Sequence, residues 1–230
     1  MNKVCGQCEN EYKRISTHWS MSSDCSHVSL SKNQREIITG LLMGDGNISR
    51  NGVNPYLRCK MISENYLHYI DNEFGVLGRG VSQILTASES AEQVRESGFY
   101  TDADAADYSD VYKWCTVSHP EIQDFADWYS SGEKVFPKSL NLTPTVLKHW
   151  YCCDGHYTNN IQIAMSKESN NKDKIDELFE NSGLPKPSNY NGRKNCDAVF
   201  TVDDSHELWQ YMGEPLPDFE YKWPEEYRES

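Results

Sequence analysis

Basic side chains are scarce in this chain. Its 230 residues carry 22 Lys and Arg against 35 Asp and Glu, giving a formal net charge of −13 and a pI near 4.9. Proteins that grip nucleic acid by its phosphates are ordinarily rich in Lys and Arg, because each contact releases counterions. Composition alone therefore argues against a nucleic-acid partner. No apolar run approaches the length of a membrane-spanning helix, and residues 1–20 contain no apolar signal core. A soluble, intracellular protein with no membrane partner is expected. No Ser-His-Asp arrangement and no glycine-rich phosphate loop is legible, and the histidines are scattered. The length allows one large or two modest domains with a sizeable core.

Against these absences stand two stretches that end alike, in Asp-Gly after an apolar run. They are Ile37-Ile38-Thr39-Gly40-Leu41-Leu42-Met43-Gly44-Asp45-Gly46 and Val146-Leu147-Lys148-His149-Trp150-Tyr151-Cys152-Cys153-Asp154-Gly155. Each reads as a buried helix whose last turn delivers one carboxylate. Gly46 or Gly155 is able to take the left-handed conformation that closes it. The negative end of a helix dipole is a poor place for a lone anion but a good one for an anion that holds a divalent cation. Gly40 and Gly44 lie four apart, on one face, and a face without bulk lets another helix approach closely. The second helix offers Cys153 and, less comfortably, His149 on its matching face. Close crossing would bring Asp45 and Asp154 together, where like charges are tolerable only if cations neutralise them. Magnesium suits such a pair, since it prefers oxygen ligands and completes its shell with water and substrate phosphates; calcium or manganese are expected substitutes.

These residues resemble the LAGLIDADG homing endonucleases, with Ile38 to Gly46 on the nine-residue signature and Leu147 to Gly155 on a second copy. The first copy keeps both glycines and the terminal Asp45-Gly46. In the second, His149 and Cys153 stand where small residues are usual, while Trp150-Tyr151 and Asp154-Gly155 look like the single-chain, intron-type members. The resemblance implies an α+β fold of two pseudo-two-fold αββαββα-like halves with saddle-shaped antiparallel sheets. It implies a site-specific, metal-dependent double-strand break in a double-stranded DNA target, made by a monomer encoded with a mobile intron. Asp45 and Asp154 would be catalytic and would hold magnesium with the backbone carbonyls of Gly44 and Cys153. A lysine late in each half, Lys134 and Lys222, would act as general base or charge stabiliser, with Lys60 a weaker candidate. The sheets would lie along the major groove. That selects Arg58, Lys60, Arg79, Gln83, Arg95 and Lys113 in the first half. In the second it selects Asn160, Gln162, Lys167, Arg193, Lys194 and Asn195.

The pattern of elements repeats. Ser31 reads as the N-cap of the first motif helix. Asn47–Met61 is turn-rich and then strand-like, Glu64–Phe74 a helix, and Gly75–Gly80 a loop. Val81–Val117 reads as two strands joined by an acidic segment around Gly98–Tyr108, and His119–Tyr129 as a helix. Thr143-Pro144 then opens the second motif helix. Gln162–Met165 follows as a strand, Lys172–Asn181 as a helix, Asp197–Val202 as a strand and Ser205–Met212 as a helix. The expected divisions are 1–29, 30–140 and 141–230.

Three of the eight cysteines fall early, as Cys5-Gly6-Gln7-Cys8 and Cys25, with His18 and His27 nearby. Disulfides are improbable in an intracellular chain, and Cys5, Cys8, His18 and Cys25 supply four ligands for a structural, tetrahedral zinc. His27 competes with Cys25, which is favoured because thiolate binds zinc more tightly. A segment this short has too little core to fold alone, so metal would supply its folding energy. The other cysteines, at 59, 115, 152, 153 and 196, are expected to fill core space.

An acidic endonuclease needs a reason, and concentrated salt provides one, since it screens self-repulsion among surface carboxylates. The stretch Thr101-Asp102-Ala103-Asp104-Ala105-Ala106-Asp107 fits a halophilic prokaryote or its virus. The competing readings are a non-cleaving nucleic-acid binder on the same fold, such as an intron RNA maturase, and a zinc protein that touches no nucleic acid.

Overall fold

Capping side chains decide where the two motif helices begin. The computed structural model describes residues 2–50, 53–98, 100–129, 135–137, 139–165, 172–192 and 196–228. Ser31 accepts from the Gln34 amide while the Gln34 side chain accepts from the Ser31 amide, a complete capping box that starts α2 (Lys32–Met43). Thr143 accepts from the Val146 amide, and Pro144 occupies the first turn of α5 (Pro144–Asp154). Both caps fall where the sequence puts them.

The chain opens with a short hairpin, β1 (Lys3–Val4) and β2 (Glu11–Tyr12), and α1 (Ile15–Met21). After α2 come β3 (Asn47–Arg50), β4 (Pro55–Met61), α3 (Glu64–Phe74), β5 (Gly78–Leu85), α4 (Ala87–Glu96) and β6 (Val111–Thr116). A 3-10 stretch over Pro120–Tyr129 follows. After α5 come β7 (Gly155–Tyr157), β8 (Ile161–Ala164), α6 (Lys172–Asn181), β9 (Asn189–Asn191), β10 (Asp197–Val199) and α7 (Val202–Met212). Every strand pair is antiparallel, and the two four-stranded sheets share one order, β3-β4-β6-β5 and β7-β8-β10-β9. With α4 set aside as an insertion, an αββαββ order occurs twice, followed by the 3-10 stretch in the first half and by α7 in the second. This is the expected α+β architecture.

By compactness the chain divides into Met1–Leu30 with Asn47–Gln123, and Ser31–Gly46 with Asp124–Ser230. This grouping does not follow the chain-order divisions at 29/30 and 140/141. In the first unit, Leu57, Cys59 and Trp114 point from the sheet into a core shared with Tyr66, Leu67, Ile70 and Phe74 of α3. The Trp114 indole donates to Asp71 at 2.8 Å, so the largest side chain of this core keeps its polar atom paired. The second unit holds both motif helices. Around them lie the buried rings of Trp150, Tyr151, Trp209 and Trp223, with Ile161, Ile163 and Ala198 facing in from its sheet.

Within that unit α2 and α5 pack through their missing side chains. A Cβ at Gly40 would stand 2.6 Å from both the Cβ of His149 and the carbonyl oxygen of Val146. At Gly44 it would collide with the Cβ of Cys153. The matching face of α5 is therefore the expected one, His149 included.

Several expectations are corrected. Gly46 and Gly155 do not take the left-handed conformation: Gly155 has φ −82° and ψ 152°, and Gly46 is absent from the positive-φ positions. They are glycine for lack of room instead. A Cβ at Gly46 would meet the Leu41 carbonyl oxygen at 2.7 Å, and one at Gly155 would strike the Tyr151 ring. The segment after β5 contains α4, started by a Thr86/Glu89 capping box, where the first of two strands was expected to run on towards the Gly98–Tyr108 connection. His119–Tyr129 is 3-10 rather than α-helical over Pro120–Tyr129. The strand expected over Asp197–Val202 ends at Val199, because Thr201 caps α7 with Asp204 and starts it at Val202.

The packing predicts an asymmetric response to alanine. Inside a helix, as at Gly40, propensity favours Ala over Gly by about 1 kcal/mol. That gain is not open to Gly44, the C-cap at φ −105° and ψ −124°, and overpacking a tight interface costs about 1–3 kcal/mol. Gly44→Ala is expected to lower unfolding free energy in urea, and adding Cys153→Gly to restore much of the loss. Gly40→Ala meets a backbone carbonyl as well, so no His149 substitution is expected to rescue it.

Candidate active site

The ends of α2 and α5 carry the two aspartates. Asp154 is the last residue of α5, and Asp45 follows Gly44 at the end of α2. The Oδ2 atom of Asp154 lies 3.5 Å from where a Gly44 Cβ would stand. Its carboxylate thus abuts the residue that precedes Asp45. Asp45 is exposed and Asp154 half-buried. The α2 end is closed by Gly44 N–H on the carbonyls of Gly40 and Leu41, and by Gly46 N–H on Leu41 at 2.7 Å. Glycine at position 44 thus lets the Asp154 carboxylate approach the residue next to Asp45.

Lys222 supports this end from beneath. Only 6% exposed, its ammonium donates to the carbonyl of Cys152 at 2.7 Å and lies 3.5 Å from that of Tyr151, both in the last turn of α5. The Tyr151 hydroxyl donates back to the Lys222 carbonyl at 2.8 Å. A cation here offsets the negative end of the helix dipole, where Asp154 adds charge. Burial pulls the Lys222 pKa down, and Cys152, Cys153, Asp154 and Asp45 pull it back up. Both carboxylates therefore act on the same ammonium. Lys134, its expected counterpart, lies outside the described residues.

The first sheet presents a second kind of surface. On strand alternation, Arg58 and Lys60 of β4 face outward with Lys113 of β6, and Lys60 stands directly opposite Lys113 in the ladder. Arg79, Tyr56, Ser82 and Cys115 line the same concavity, and no carboxylate lines it among the described residues. Burial raises the Cys115 thiol, opposed by Lys113, Arg79, Arg58 and Lys60, which marks how closely the four cations converge. Ser82 and Tyr56 were missed as lining residues, although Tyr56 shares the alternation of Arg58 and Lys60.

Not every expected contact joins them. Gln83 pairs with Tyr112 on the opposite face, the one that carries Trp114. Arg95 is on α4, not a strand, and its guanidinium donates to the Ala103 carbonyl. In the second sheet, Gln162 faces outward and bonds His156 at 3.1 Å, whereas Asn160 is spent on the Phe200 carbonyl. Lys167, Arg193, Lys194 and Asn195 lie outside the described residues.

The N-terminal segment gathers a third constellation. One ligand atom each from Cys5, Cys8, His18 and Cys25 lies within 4.8 Å of the others, and no other such group of three or more occurs among the described residues. The turn is held by Glu9 N–H on the Cys5 carbonyl at 2.7 Å and by Cys5 N–H on Asn10 at 2.9 Å. Tyr12 stacks on His18 at 3.8 Å, and the Trp19 indole donates to Cys5 sulfur at 3.4 Å. Burial alone raises the Cys5 thiol, but hydrogen bonds from the Gln7 and Cys8 amides, Trp19 and His18 bring it down to about 6. His27 is not in the cluster. Its Nε2 meets Ser20 at 3.2 Å and its ring packs edge-on against His119 at 5.1 Å.

Residues 35–199 match the family model of the LAGLIDADG DNA endonuclease family. The chain belongs to that family. Among solved structures it is similar to the homing endonuclease I-WcaI bound to its DNA recognition sequence, at 14% identity, with 92% of each chain covered and a TM-score of 0.64. I-DmoI in complex with DNA and calcium matches at 15% identity over 81% of this chain and 94% of that one, with a TM-score of 0.48. No curated protein matches by sequence. No helix among the described residues is long and apolar enough to cross a membrane.

His149 gives this site an acid limit. It is 1% exposed against Gly40, and burial, then the charge of Lys148, lowers its pKa to about 3. The unfolded chain takes up the proton near pH 6.5 and the folded one does not, so stability falls as pH drops from about 6.5 towards 3, by at most about 1.4 kcal/mol per pH unit. Urea unfolding of wild type and His149→Gln across this range is expected to differ by that one-proton slope.

Proposed function

We propose that this chain is a site-specific homing endonuclease that cuts both strands of double-stranded DNA by metal-dependent hydrolysis. The observation that carries the cleavage reading is that the α2–α5 packing sets the Asp154 carboxylate against Gly44, the neighbour of Asp45, with both aspartates acting on the one Lys222 ammonium. Two carboxylates in such proximity repel unless a cation lies between them or a proton neutralises one. Their donor atoms are hard oxygens, which fits magnesium, with the carbonyls of Gly44 and Cys153 as further ligands. Bound there, magnesium would activate a water and neutralise the leaving oxygen. Asp45 and Asp154 hold and orient it, one per motif, which matches one cut per strand. Lys222 fixes the end of α5 and tempers the summed negative charge; we assign it as a positioning residue rather than a general base.

The outward face of the first sheet supports DNA as the partner. Like charges directly opposite in a ladder destabilise a sheet, and Lys60 across from Lys113 is such a pair, joined by Arg58 and Arg79 without an acid. A polyanion relieves it. Seated in a major groove, Arg58, Lys60 and Lys113 reach base edges. No observation favours the non-cleaving reading.

The convergence of three thiols and one imidazole supports a structural zinc in the N-terminal segment. The surface carboxylates support an enzyme of concentrated salt, and two motif helices in one chain support a monomer.

Three outcomes test these readings. Asp45→Asn or Asp154→Asn is expected to reduce double-strand cleavage of target-bearing DNA by about a hundredfold to a thousandfold, the range seen for lost catalytic electrostatics, with binding retained. Full cleavage by either variant at saturating enzyme would remove the assignment. Metal analysis is expected to find zinc in the purified chain, lost when Cys5→Ser is combined with Cys8→Ser. Urea midpoints are expected to rise with potassium chloride towards molar levels as the Debye length shrinks to about 3 Å; a maximum near or below about 0.1 M would refute the halophile reading.

A further inference from the structure

The N-terminal module is docked, not trailing. Lys3 donates to the Gly75 carbonyl at 3.1 Å, and His119 Nε2 lies 2.8 Å from the Val28 carbonyl oxygen, so both edges of the module are tied to the unit that carries the first sheet. Docking leaves a cleft between the start of α1 and the end of the sheet. Its cations are Lys3, Lys13, Arg14 and Arg79, and no carboxylate lines it among the described residues.

Tyr56 and Arg79 line this cleft and the outward face of the sheet alike. The two surfaces are therefore one continuous cationic track. It uses seven of the chain's 22 basic residues and, among the described residues, none of its 35 acids. Chance placement in so acidic a chain would have put several carboxylates along it. The module itself carries three acids against three bases, and Glu9, Glu11 and Asp24 do not line the cleft. Lys13 and Arg14 are exposed and make no ion pair among the described residues.

We propose that the N-terminal module is a second DNA-contacting element, in which Lys13 and Arg14, with Arg79, hold the phosphate backbone of duplex that continues past the sheet. The proposal rests on the reading of the sheet face as a DNA surface. The cleft suits phosphates rather than base edges: α1 is a short helix with exposed cations at its start, and no Asn or Gln lines the cleft to pair with a base. Such contacts add affinity without adding sequence preference. They also give an acidic protein a grip on DNA from a small, segregated part of its charge.

The test uses the full chain and duplex DNA of mixed sequence, about 40 base pairs long, so that non-specific phosphate binding is read directly. Affinity is measured against salt for wild type, for Lys13→Ala with Arg14→Ala, and for Lys60→Ala with Lys113→Ala. Two lost phosphate contacts are expected to reduce the slope of log affinity against log salt by about two, and affinity near 0.1 M salt by about tenfold or more. Lys13→Arg with Arg14→Lys is expected to retain both, which separates charge from any structural role. Unchanged metal content and far-ultraviolet dichroism in each variant establish that the module is intact. If the sheet variant weakens binding and the module variant does not, the proposal is overturned while the proposed function stands. If neither variant weakens binding, or the wild type does not bind duplex, the reading of the sheet face fails and the proposal fails with it.

Discussion

The structure depends on how closely two helices approach. Side-chain bulk is removed from α2 at Gly40 and Gly44, and the vacated space is filled by His149, the Val146 carbonyl and Cys153 of α5. Everything at the candidate active site follows from that approach. It sets Asp154 against Gly44, next in sequence to Asp45, and it concentrates negative charge at two helix ends that already carry the wrong dipole for it. The molecule answers with Lys222, a buried ammonium latched to the last turn of α5 from a segment far along the chain. Burying His149 against Gly40 is the complementary expense, because that imidazole must stay neutral.

Charge is used in opposite ways in different parts of the chain. Acids crowd α4 and the segment after it, where they cap helices and face solvent. Seven of the 22 bases are set together on one sheet face and the adjoining cleft, which no acid lines among the described residues. A net charge of −13 is therefore a poor guide to what such a protein binds. A polyanion meets the local field within about a Debye length, roughly 8–10 Å at moderate salt, not the sum over the surface. The apparent conflict between composition and family dissolves at this scale.

What the sequence disclosed, it disclosed where one residue decides. Ser31 and Thr143 mark their helices because a cap is a single hydrogen bond, and the helices Glu64–Phe74 and Lys172–Asn181 show an unambiguous apolar period. Cys5, Cys8, His18 and Cys25 are legible as metal ligands by type, but the choice of Cys25 over His27 depends on the packing of His27 against His119. What was missed was short or doubly determined. The strands β7 and β9 have three residues each, too few to alternate. The helix α4 did announce itself through Thr86 and Glu89, a signal outweighed by the acidic run that follows. Gly46 and Gly155 were correctly singled out for a wrong reason, since a crowded glycine and a left-handed one look identical in sequence. Lys222 was singled out by its place late in the second half, yet its bonds to the α5 carbonyls are tertiary and could not be read.

The central claim is that Asp45 and Asp154 form one electrostatic unit. A double-mutant cycle in unfolding free energy, using Asp45→Asn, Asp154→Asn and the pair, measured with and without magnesium, reads this coupling directly. The account predicts a repulsive coupling term in metal-free buffer that shrinks when magnesium is added, with magnesium stabilising wild type more than either single variant. Additive effects, unchanged by magnesium, would mean that the two carboxylates act independently and would contradict it.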